Sequence, residues 1–168
     1  MRLLRVALVG ACALVISAFG ATASASYDAA KVVTSFDARE ILAIATSLGF
    51  KAELTPAKAG GSFVTIQGNG VQFAAIPTAC KTPGQGCVGL ELQMNAGKAP
   101  QLTYEQVNQF NLDWVFTQAY ILNGEARISR YEICDHGIGL GNVATNIGQF
   151  AAIAAKFRET VDRAAKRS

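Results

Sequence analysis

The sequence predicts an α+β domain: an antiparallel sheet of about five to six strands flanked by three helices, in the order α-β-β-β-β-α-β-β-α. Three observations carry this expectation. Asn69-Gly70 and Asn123-Gly124 each separate two stretches of strand-like character, which is the pattern of a two-residue hairpin. Segments with helical spacing stand before, between and after the strand groups, so helices cover an antiparallel sheet rather than linking parallel strands. Near the C-terminus, Val143, Ile147, Phe150, Ala154, Phe157 and Val161 recur at intervals of four and three, a stripe that needs a surface to cover.

The elements follow in order. Residues 26–35 form a lead-in. Residues 36–48 place Ile41, Ile44, Ala45 and Leu48 on one helical face, with Asp37 and Glu40 spaced as a cap pair and Gly49 as the stop. Residues 50–54 make a short strand halted by Pro56 and Gly60-Gly61. In residues 62–67, Val64 and Ile66 alternate with Phe63, Thr65 and Gln67, and residues 71–76 return across the hairpin. Residues 88–94 put Val88, Leu90, Leu92 and Met94 on one face, after which residues 96–100 break the pattern. Thr103 opens a second helix with Gln106 in the capping-box position, running past Val107, Phe110 and Asn111 and ending near Trp114. Residues 116–122 and 126–134 are strands around Asn123-Gly124, and residues 142–166 form the last helix.

The N-terminus reads as an export signal. Arg2 and Arg5 precede an uncharged run over residues 6–19, and Ala23-Ser24-Ala25 offers the small side chains that cleavage between Ala25 and Ser26 requires. A retained membrane anchor and a lipidated Cys12 are the alternative readings. With the leader set aside, residues 36–168 form a single domain, and the protein is expected in the periplasm or secreted, without a stable membrane anchor. The chain's 15 Lys and Arg against 12 Asp and Glu include Arg2 and Arg5, so the remainder is close to neutral. Near-neutrality argues against a nucleic-acid partner, and no zinc-finger, helix-turn-helix or ribonucleoprotein motif appears. The length suits one ordinary core.

In an oxidising compartment, Cys80 and Cys87, separated by the turn-rich Lys-Thr-Pro-Gly-Gln-Gly, are expected to form a disulfide. Cys134 is expected as a buried thiol on a strand. Two thiols and one imidazole cannot assemble a sensible metal site, so no metal and no cofactor is expected. His136, the only histidine, stands in Cys134-Asp135-His136 but lacks an orienting group and an oxyanion loop; it reads as a surface or loop residue. Gly139-x-Gly141-x-x-Ala144 satisfies a dinucleotide fingerprint, yet no second strand with an acid follows the helix. These glycines turn the chain onto the sheet instead, with anion capture at the helix start as the alternative. Asn108, Phe110, Asn111, Asp113 and Trp114 crowd one helix end, either capping it and fixing the next loop or forming a binding cluster. Lys156, Arg158, Arg163, Lys166 and Arg167 complement the dipole of the last helix and read as a solvated face, with an acidic partner or lipid head groups as the alternative.

Asn108-x-Phe110-Asn111, followed by Phe116 and Ala119-Tyr120, then a strand ending before Gly137 to Gly141, resembles the YbjN domain of bacteria, labelled a sensory transduction regulator. Cys80 and Cys87-x-x-Leu90 suit the same family, and the resemblance spans residues 36–161. Phe110 stands where the family pattern has Trp, and the export signal is a second departure. The resemblance implies a fold like that of class I type III secretion chaperones, often dimeric, with a binding or regulatory role and no catalytic machinery. The expected function is therefore that of an exported, non-enzymatic module recognising a protein or peptide, with a homodimer as a candidate assembly. A thiol- or His-dependent enzyme using Cys134 and His136, and a self-associating structural envelope protein, are the alternatives.

Overall fold

A computed structural model describes residues 26–166. The predicted leader, residues 1–25, and Arg167 lie outside them. Eight strands and three helices run β1 (Val32–Val33), α1 (Ala38–Ser47), β2 (Lys51–Pro56), β3 (Ser62–Gly68), β4 (Val71–Thr78), β5 (Gly89–Lys98), α2 (Tyr104–Asp113), β6 (Gln118–Leu122), β7 (Glu125–Ile133), β8 (Ile138–Gly139) and α3 (Leu140–Ala165). The fold is α+β, and the six long strands form one antiparallel sheet in the order β2-β3-β4-β5-β7-β6. Both Asn-Gly turns are two-residue hairpin loops. Their asparagines and glycines all have positive φ, as a turn matching the strand twist requires.

The alternation read in the sequence sets the two faces of the sheet. Val64, Ile66, Phe73, Ala75, Leu90, Leu92, Met94 and Ile128 are buried beneath the helices. Helix α1 packs on β2, β3 and β4, α3 on β4, β5 and β7, and α2 beside β6. The whole predicted stripe of α3 is buried, with Phe150 against Phe73 at a ring separation of 5.2 Å and Phe157 against Phe110 at 5.0 Å. Each such ring, fully withdrawn from water, contributes about 1.5–3 kcal/mol. The other sheet face carries no helix among the described residues. It is knitted by cross-strand side-chain bonds, including Thr55 to Thr65 at 2.8 Å, Gln93 to the Tyr120 hydroxyl at 3.1 Å, and Thr78 to the Tyr131 hydroxyl at 3.0 Å. Tyr131 lies across Gly89, where a Cβ would stand 2.0 Å from its hydroxyl.

Cys80 and Cys87 form a disulfide that closes the loop between β4 and β5. In the chain-entropy picture a loop this short contributes about 2.5 kcal/mol. The turn after β2 packs on it, since a Cβ on Gly61 would meet the Gly84 backbone at 2.7 Å.

Several expectations need correction. The lead-in is part of the fold: β1 pairs antiparallel with β8, and Val33 is buried. The glycines of residues 137–141 thus build a strand as well as a turn, and α3 begins at Leu140 rather than at residue 142. Anion capture at that helix start is disfavoured, because the Leu140 and Gly141 amides donate to the Lys31 and Ala29 carbonyls at 2.9 and 3.0 Å. Asp37 caps α1 by accepting from the Arg39 amide, but Glu40 pairs with Lys31 instead of closing a capping box. Strand β5 does not stop before residue 96; a bulge between Asn95 and Gly97, with Gly97 at positive φ, carries it to Lys98. Residues 116 and 117 belong to the turn before β6.

Candidate binding groove

Helix α2 starts as its sequence dictates. The Thr103 hydroxyl accepts from the Gln106 amide and the Gln106 side chain accepts from the Thr103 amide, completing a capping box. From this start, residues 106, 109, 110 and 113 follow one side of the helix, which faces the C-terminal half of α3.

The predicted cluster divides between two roles. Asn111 turns toward β6, where its side-chain amide accepts from the Ala119 amide at 2.7 Å and donates to the Ala119 carbonyl at 3.0 Å. One residue's backbone groups point to the same side of a strand, and β6 is the last strand of the sheet, so Asn111 occupies its open edge. Asn111 thereby ties α2 to the edge strand. Asn108 is exposed and does not join the others. Phe110, Asp113 and Trp114 do come together, lining a groove of about 420 Å³ between α2 and α3.

The floor of this groove is aromatic. Phe110 is buried between Phe157 and Trp114, its ring 6.3 Å from the indole, whereas Trp114 itself remains 37% exposed. The rim is polar. Asp113 accepts from Gln109 at 2.8 Å, and Lys156 pairs with Glu159 at 3.1 Å. Arg163 donates to the Thr160 hydroxyl at 3.1 Å and has no carboxylate within 4.0 Å among the described residues. Arg158 turns elsewhere, donating to the Ala96 carbonyl at 3.0 Å. The groove's α3 side was visible in the sequence only as a basic face, because nothing in the spacing of Lys156 and Arg163 reveals that α2 lies across them.

A second cluster escaped the sequence reading altogether. Arg130 and Glu132 occupy the helix-facing side of β7, where Ala126 and Ile128 precede them. Arg130 bonds Glu132 at 3.0 Å, the Asn146 side chain at 3.0 Å and the Phe116 carbonyl at 3.2 Å, with its guanidinium 5.6 Å from the Phe116 ring centre. Glu132 is 7% exposed, and its second oxygen has no partner among the described residues. The signal was present: two charges at the inward positions of an alternating strand. The network pins the chain ahead of β6, where Val115 and Phe116 stand exposed beside Tyr131.

Cys134 lies one residue beyond β7 and is 1% exposed, its sulfur near the Cys87 carbonyl. Burial, and then the neighbouring Asp135 charge, push its thiol above the ordinary range. The His136 side chain is 98% exposed in the following turn. A thiol sealed in the core and an imidazole in solvent do not form a nucleophile and base. Among the described residues no group of three or more His, Cys, Asp or Glu converges, and no helix is long and apolar enough to cross a membrane.

Residues 37–163 match the model of the YbjN family, whose description is "Putative bacterial sensory transduction regulator". No curated protein and no solved structure matches the chain.

Proposed function

The chain belongs to the YbjN family, and from that premise we propose that it is an exported, non-enzymatic regulatory module that recognises a protein or peptide partner in the bacterial envelope. The observation that carries the reading is the groove between α2 and α3. Its half-exposed indole over a buried aromatic floor is the arrangement of a recognition pocket, with apolar area for contact and a polar rim for orientation. Export is supported by the leader-like residues 1–25 and by the disulfide, which suits an oxidising compartment.

The test is site-specific photocrosslinking in the native envelope. A photoreactive side chain at Gln109, on the groove, is expected to give a discrete adduct with a partner. The same group at Gln72, on the uncovered sheet face, is expected to give none. Adducts of equal yield at both positions, or none at Gln109, would remove the groove as the recognition surface.

A further inference from the structure

Two cations and two carboxylates line the groove, and they differ in how their polar atoms are engaged. Lys156 is neutralised by Glu159, and the Asp113 carboxylate is engaged by the Gln109 amide. Among the described residues Arg163 lines the same groove with only the Thr160 hydroxyl as a partner, so its guanidinium keeps donors available, while the Asp113 oxygens are already engaged by Gln109. A guanidinium offers a fork of N–H groups matched to a carboxylate, and charge-assisted bonds of that kind are about twice as strong as neutral ones. Across the groove stands Trp114, whose exposed indole presents apolar surface at the opposite wall. An occupant that satisfies both walls places an apolar side chain against the indole and a carboxylate at the guanidinium. Resting on the recognition role proposed above, we infer that the groove takes a partner segment in which an apolar residue is followed by an acidic one, with Trp114 reading the first and Arg163 the second.

Trp114 is the only tryptophan in the chain, so its emission reports the groove directly. The probes are the blocked peptides acetyl-Gly-Leu-Glu-Gly-amide and acetyl-Gly-Leu-Gln-Gly-amide, titrated into the protein purified from the envelope in its native processed form. The acidic peptide is expected to shift the emission saturably, and the amide peptide to bind about tenfold more weakly, the loss of one charge-assisted contact at a partly hydrated site. Arg163→Gln, an exposed substitution that leaves the core untouched, is expected to abolish the difference between the peptides while leaving the residual apolar binding. Vesicles of phosphatidylglycerol form a separate arm and are expected to leave the emission unchanged.

Equal affinity for the two peptides, or a difference that survives Arg163→Gln, would overturn the assignment of the carboxylate to Arg163. Because neither result touches the Gln109 adduct, the recognition role would stand or fall separately. A shift with vesicles and with neither peptide would identify a lipid surface as the occupant and overturn the inference, as would silence in every arm.

Discussion

Asn111 closes the edge of the sheet with a side chain in place of a strand. An unpaired edge is a template for another chain, and β6, reading Gln-Ala-Tyr-Ile-Leu, carries no charge or proline to discourage pairing. By bonding both backbone groups of Ala119, Asn111 removes the middle of that template. Asn111→Ala is therefore expected to destabilise the fold by about 1–3 kcal/mol, since the Ala119 groups lose their partners. It is also expected to make the protein self-associate as its concentration rises. Denaturant melts and light scattering of the same sample check the two effects. Cys134 gives a second expectation at this scale. Its raised folded value means that the contribution of the neutral thiol is present below the ordinary thiol range and is lost as pH climbs through the folded value. At neutral pH the thiol is protonated and sealed. Iodoacetamide is expected to leave it unmodified in the native protein and to label it promptly in denaturant, as read by mass.

At the level of elements, α3 holds the layers together. Phe150 meets Phe73 of the sheet, and Phe157 meets Phe110 of α2, so one helix seals the core and forms a wall of the groove. Phe157→Ala is expected to cost about 3–5 kcal/mol in a denaturant melt, the usual range for emptying a buried aromatic site. It is expected to raise the exposure of Trp114 as well, visible as a red shift of emission. The long elements were legible because periodicity alone specifies them: the α3 stripe and the alternation in β3 and β5 predicted the buried residues by name. The two-residue strands were not, since Val32-Val33 and Ile138-Gly139 carry no alternation and pair only because the fold brings them together. The β5 bulge hid for a similar reason, because Gly97 reads as a breaker until the partner strand is known. As for the groove, Phe110, Asp113 and Trp114 stand close together in the sequence, whereas their convergence with Arg163 depends on the crossing of two helices far apart in sequence.

Among the described residues, the helices lie on one side of the sheet and none covers the other, which an antiparallel sheet with cross-strand polar pairs tolerates. The disulfide ties the end of β4 to the approach to β5, at the same end of the molecule as Cys134. A chain of this design is suited to a compartment where Cys80 and Cys87 stay oxidised. We propose that the folded, bridged module works outside the cytosol, freed of residues 1–25. Intact mass of the protein recovered from growing cells, with thiols blocked at lysis, tests this most directly. The predicted result is the mass of residues 26–168 less two hydrogens, with no thiol blocked until the chain is unfolded and one thereafter. Recovery of the chain with residues 1–25 still attached, and with Cys80 and Cys87 both blocked in the native state, would contradict it.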